Sequence, residues 1–230
     1  MVKLLPLLKK LDIRATFFVT GYFAKIESDI IRRIDKEGHE IASSTFFNRS
    51  YKKESSKELH NDILKSKDLL ETITLSKMKG FRMPLFQENK FIKGIISELG
   101  MKYDSSSHPA MIFGYSYNFL KKTNIHYIES LNLIESPVSV FPVVRFPISS
   151  AYMRNFGNFY TLLGIELNLL FKDDIVMYFY PWEFIDLHKM KGNPFYTRKT
   201  GIKFRKQFVD FVKYMKRNKS DFEVMKNIRV

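Results

Sequence analysis

Short runs rich in β-branched and aromatic residues alternate along this chain with longer stretches in which apolar positions recur every third or fourth residue. That alternation is the pattern of an α/β protein with a mostly parallel sheet. Leu4, Leu5, Leu7, Leu8 and Leu11 line one side of a first predicted helix, and Ala15 to Val19 reads as a buried strand closed by Thr20 and Gly21. Ala24 to Glu37 carries Ile26, Ile30, Ile31 and Ile34 at helical spacing, and Gly38 stands where a C′ glycine ends a helix. Glu40 to Ala42 is the next predicted strand. Ser55 with Glu58 makes a capping box for a helix running to about Glu71.

Gly80 to Arg82 reads as a short strand ending at Pro84, and Glu88 to Leu99 as a helix closed by Gly100. Met101 to Asp104 is another strand. The stretch from Ser105 to Ser150 is irregular and rich in Pro, Tyr and Ser, with short strands near 125–128 and 133–138. A helix over 158–170 precedes Ile175 to Tyr180, the strongest strand pattern in the chain. A helix from about Gly201 to Arg217 and a last strand, Phe222 to Met225, close the sequence. Without repeats, low-complexity tracts or a linker, residues 1–230 read as a single domain.

Composition narrows this picture. The chain has 230 residues, 45% hydrophobic and 15% aromatic, enough for one sizeable core. No run of about 18 apolar residues suggests a membrane span, and Met1 to Lys10 lacks the small-residue cleavage site of a signal peptide. A cytoplasmic location is expected by default. The absence of cysteine excludes disulfides and thiolate metal sites. The formal charge of +14 would attract nucleic acid, anionic glycan or an anionic membrane face. The lysines are spread along the chain, which favours solvated helix faces over a nucleic-acid-binding patch.

Five strings, in order, carry a family resemblance. They are Leu7-Leu8-Lys9-Lys10 with Ala15 to Gly21; Gly38-His39-Glu40-Ile41-Ala42; Phe81-Arg82-Met83-Pro84; Tyr103-Asp104-Ser105-Ser106; and Pro181-Trp182-Glu183-Phe184. Together they resemble the polysaccharide deacetylases of the NodB-homology type over roughly residues 1–190. The resemblance implies an α/β fold, a distorted (β/α) barrel of about seven strands, with its site at the carboxyl ends of the strands. It implies hydrolysis of N-acetyl groups on amino-sugar polymers. A divalent metal, usually zinc, would be held by an Asp and two His, with a second Asp as base and a His as acid.

The same resemblance marks where this chain departs from the pattern. The family's Thr-Phe-Asp-Asp-Gly string precedes the segment at which Met1 begins, so both aspartates and the strand bearing them are outside the 230 residues. The metal histidines fall at Ser44 and Asn48, and a hydroxyl and an amide are poor zinc ligands. No bound metal is therefore expected. The family's arginine is Arg82, for which Glu183 is an alternative acidic partner. Tyr180 replaces the proton-donating histidine before Pro181-Trp182-Glu183. Arg82, Tyr180 and Glu183 are thus the candidate catalytic positions, and Phe46 and Trp182, with Phe47 and Tyr178, a candidate aromatic groove for sugar. His39 is expected at a helix end, bonded to backbone. Asp173, Asp174 and Glu166 are ordinary charges of a helix and its following turn.

The expectation is a deacetylase-like protein with little or no hydrolytic activity, binding glycan or encoded by a decaying gene. The alternatives are an active divergent deacetylase with an unrecognised metal site, and a basic protein binding glycan or nucleic acid. The strand Ala15 to Thr20, lacking a neighbour, would leave an open sheet edge that a second copy could cover.

Overall fold

In the computed structural model, which describes residues 1, 3–87, 89–112, 116–118, 120–171 and 174–229, helices and strands alternate through the first half of the chain. The order is α1 (Leu4–Lys10), β1 (Thr16–Val19), α2 (Gly21–Ile26), α3 (Ser28–Lys36), β2 (Glu40–Ser43), α4 (Ser56–Thr74), β3 (Gly80–Phe81), α5 (Ile92–Glu98) and β4 (Tyr103–Asp104). There follow β5 (Met111–Ile112), β6 (Ser116–Tyr117), β7 (His126–Ile128), β8 (Leu133–Glu135), α6 (Ser150–Phe156), α7 (Asn158–Leu169), α8 (Pro194–Thr197) and α9 (Ile202–Arg217). The chain divides into two compact units interleaved along the sequence. The sheet unit takes residues 14–108, 125–137 and 223–230; the helical unit takes 1–13, 109–124 and 138–222.

The sheet unit is built on six strands in the order β1-β2-β3-β4-β8-β7. The first five are parallel, with Thr16 opposite Glu40 and Gly80 opposite Tyr103, while β7 returns antiparallel along β8. Among the described residues β1 pairs only with β2 and so forms one edge. The capping box expected at Ser55 and Glu58 starts α4, whose buried face runs Leu59, Ile63, Ser66, Leu70 and Thr74 at helical spacing. The small Ser66 in that stripe matters. A Cβ on Gly21 would lie 3.0 Å from the Ser66 Cα and 2.4 Å from the Phe46 ring, so glycine and serine together let α2 approach α4. Leu59 and Ile63 join Phe81, Met83, Ile92, Ile95, Ile96 and Met101 in one apolar cluster.

Two predicted strands take another form. Ile175 to Tyr180 is extended but belongs to no strand ladder. Its Val176 amide donates to the Ser139 hydroxyl at 2.9 Å, and the Ser139 amide returns to the Val176 carbonyl at 2.9 Å. Phe222 to Met225 likewise forms no strand and runs into a single turn at Met225–Asn227. The Met225 amide donates to the Thr16 hydroxyl and the Lys226 amide to the Glu40 carboxylate. Side chains answer amides that a neighbouring strand would otherwise have taken. The helix expected over 24–37 is two helices, because Glu27 (φ −129°, ψ 42°) leaves helical geometry between them. The helix expected from Glu88 starts at Ile92; Glu88 and Asp173 lie outside the described residues.

In the helical unit, α6, α7 and α9 gather around Phe141, Ile148, Met153, Ile165, Phe204, Phe208 and Phe211, all buried. Gly164 is the point of closest approach: a Cβ there would meet the Ile148 and Phe141 side chains at 2.7 and 2.8 Å. Among the described residues no helix is long and apolar enough to cross a membrane.

Candidate functional site

In a parallel sheet, side chains at the carboxyl ends of strands face a common opening, and loops there are free to carry chemistry. Four candidate residues of the sheet unit fall at or after such ends. Ser44 directly follows β2. It is buried, and its hydroxyl donates to the Arg82 carbonyl at 2.8 Å while its amide donates to the Val19 carbonyl at 3.0 Å. Asn48 lies four residues on in an exposed bend. Phe46, expected to face a sugar, is instead buried: its ring fills the space beside Gly21 and lies 4.3 Å from the Lys65 ammonium. The aromatic surface at this turn comes from Phe47, whose ring lies 5.7 Å from that of Tyr22 with the planes tilted by 35°, both about half exposed.

Arg82 follows β3 and binds strand ends together. Its Nε donates to the Ser105 carbonyl at 3.0 Å and its Nη2 to the Ser105 hydroxyl at 2.6 Å. The guanidinium lies 4.2 Å over the Phe18 ring. The Ser105 hydroxyl passes the link to the Ser136 carbonyl beyond β8 at 2.7 Å. The Met83 amide donates to the Ser106 hydroxyl, which donates in turn to the buried Asp104 carboxylate. Sequence reasoning noted the string Asp104-Ser105-Ser106 but not this use of it. Its only local signal is hydroxyls following directly on a strand that ends in an acid.

The helical unit holds the other candidates. Glu183 is fully buried in a single turn at Pro181–Phe184. Its partner is Arg154 of α6, also fully buried, and its Oε2 accepts from the Tyr180 amide at 2.9 Å. The acid offered by the sequence to Arg82 is thus engaged by a different arginine. Burial raises the Glu183 carboxyl from its ordinary value, opposed by the Tyr180 amide and Arg154. Arg154 also donates to the carbonyls of Arg198, Phe195 and Tyr196 at 3.0, 3.1 and 2.9 Å. No sequence motif announces Arg154; only its complete burial does. Trp182 stacks on the partly exposed Tyr180 at 5.6 Å with the planes 16° apart, and Tyr178 meets Tyr180 edge-on at 5.6 Å. These rings form an aromatic platform.

The histidines are held by structure. His39 is buried, and its Nδ1 accepts from the Ala15 amide at 3.3 Å, the backbone bond expected of it. His126 Nε2 lies 3.2 Å from Glu135, and His188 Nδ1 2.6 Å from Asp186. Among the described residues no group of three or more His, Asp or Glu is placed to hold a metal ion. At the two positions where the sequence resemblance implies metal ligands, the Ser44 hydroxyl is committed to a carbonyl and Asn48 offers an exposed amide, a donor set that does not fit zinc.

Comparison with known proteins bears on the fold. The fold resembles that of a wild-type carbohydrate esterase family 4 pseudoenzyme from Bacillus anthracis, BA3943 (TM-score 0.59, 14% identity, 97% of this chain and 58% of that one). It also resembles PuuE allantoinase (TM-score 0.65, 14% identity, 99% of this chain and 68% of that one). Residues 1–103 match the model of the polysaccharide deacetylase family. Peptidoglycan-N-acetylglucosamine deacetylase of Bacillus cereus is 33% identical over 82 residues. That stretch is 36% of this chain and 30% of the relative's length.

Proposed function

We propose that this chain is an impaired polysaccharide deacetylase that retains contact with amino-sugar polymer and lacks metal-dependent hydrolysis. The observation that carries the reading is the state of the family's ligand positions. Ser44 has its hydroxyl turned to the Arg82 carbonyl, and Asn48 carries an amide in an exposed bend. Neither replaces an imidazole. At the proton-donor position stands Tyr180, a residue whose unperturbed pKa is near 10. Arg82, Tyr180 and Glu183 then serve as architecture: the first binds strand ends, the last anchors a buried ion pair. The Tyr180–Trp182 stack supports glycan contact, since flat rings suit the apolar faces of sugars.

The chain holds a single tryptophan, Trp182, so its fluorescence reports directly on that platform. Titration with N-acetylglucosamine oligomers should quench or shift this emission, and Trp182→Ala should weaken binding several-fold by calorimetry. Acetate release from the same oligomers, with zinc, cobalt or nickel supplied, should match the chain-free control. Chelator-sensitive acetate release would overturn the impaired reading in favour of an active divergent deacetylase. Absence of oligomer binding would remove the glycan part.

A further inference from the structure

The loop joining Val140 and Pro147, residues that meet as an antiparallel bridge, turns apolar side chains outward. Val143 is 77% exposed, Val144 46% and Phe146 40%. Val143 and Arg145 both stand at positive φ, 63° and 57°, a conformation that β-branched residues rarely adopt. The stem is fixed by two residues near opposite ends of α7. Tyr160 donates its hydroxyl to the Pro147 carbonyl at 3.0 Å, and Asn168 its side-chain amide to the Val140 carbonyl at 3.0 Å. A second loop lies alongside, because Arg145 Nη1 donates to the Lys121 carbonyl at 3.0 Å. Leu120, next to Lys121 in the chain, is 99% exposed.

We propose that these adjoining loops are a docking surface for an anionic lipid membrane. The apolar tips are flanked by the cations Lys121, Lys122 and Arg145, and neither 118–124 nor 138–148 contains a carboxylate. Such a surface inserts short apolar side chains at the headgroup boundary while its cations meet lipid phosphates. Three of the four exposed side chains, Leu120, Val143 and Val144, are branched aliphatic chains with no flat face to stack on a sugar ring, which favours acyl chains. A stable protein interface needs about 800 Å² a side, more than four projecting side chains supply. A backbone fixed in a strained form that exposes a valine has no use in packing the helical unit; it has one at an apolar boundary.

Flotation of the 230-residue chain with vesicles tests this. Binding is expected to phosphatidylglycerol–phosphatidylcholine vesicles and not to pure phosphatidylcholine, and should fall as salt rises. Val143→Asn combined with Phe146→Ser should weaken it about tenfold. Asparagine suits positive φ, so the unfolding midpoint should hold or rise. Lys121→Glu with Lys122→Glu should also weaken binding. No binding to anionic vesicles, or binding unchanged in the Val143/Phe146 variant, would overturn the proposal. Retention on dextran sulfate that falls equally in that variant would assign the surface to an acidic polymer instead. The outcome is independent of glycan binding at Trp182, so either reading can fail alone.

Discussion

At the residue scale, one candidate catalytic position, Glu183, belongs to a fully buried ion pair. Arg154 and Glu183 are both fully withdrawn from water, and each needs the other. Arg154→Met should destabilise the chain by about 3–5 kcal/mol, because it leaves a carboxylate and three carbonyls without their donor. Adding Glu183→Leu should recover part of that loss. Urea midpoints of the two variants check this; a single variant within ~1 kcal/mol of the parent would show that the pair is not under tension from burial. His39 gives a pH dependence. Burial lowers its pKa below the ordinary 6.5, with Glu37 opposing and Arg14 assisting. The folded state therefore binds that proton less readily than the unfolded chain. The stability from neutral His39 is complete above about pH 6.5 and is lost as pH falls from there through the lowered folded value. Unfolding midpoints between pH 7.5 and 5 should fall, and His39→Gln should flatten the slope in that window. An unchanged slope would remove His39 as the cause.

At the element scale, the sequence was most legible where local rules and tertiary packing agree. The capping box at Ser55, the positive-φ Gly38 after α3 and the strands β1 and β2 all lie where spacing places them. It was least legible where a side chain replaces a backbone partner. Ile175 to Tyr180 has every compositional mark of a strand, yet Ser139 supplies the acceptor for the Val176 amide. No local pattern distinguishes a serine that will act as a strand's neighbour from one on a loop. Ser139→Ala should leave that buried amide without its acceptor and cost about 1–3 kcal/mol. Amide hydrogen exchange at Val176 should quicken in the variant; protection as slow as in the parent would mean another acceptor serves. Phe46 illustrates the same limit for the site. Phe46 and Phe47 are indistinguishable in sequence, but Gly21 provides space for the first ring and leaves the second outside.

At the scale of the whole molecule, the fold resembles that of a carbohydrate esterase family 4 pseudoenzyme, and Ser44 and Asn48 stand where the sequence resemblance implies metal ligands. In a metal-dependent hydrolase the ion is both catalyst and ligand of the native state, so it raises stability by mass action whenever it binds the folded chain alone. Here the Ser44 hydroxyl is already committed to the Arg82 carbonyl, a bond that a metal contact would have to displace. Zinc at ten times the protein concentration should therefore leave the thermal midpoint within about 1 °C of its value in chelator, and acetate release should not appear on adding it. A bound metal at 100 times its Kd would contribute ~2.7 kcal/mol and lift the midpoint by several degrees. A chelator-reversible rise of that size would locate a ligand set elsewhere in the chain, and repeating the titration with each histidine replaced would identify it. The presence or absence of a metal site thus has a thermal consequence as well as a chemical one, and the two can be measured independently.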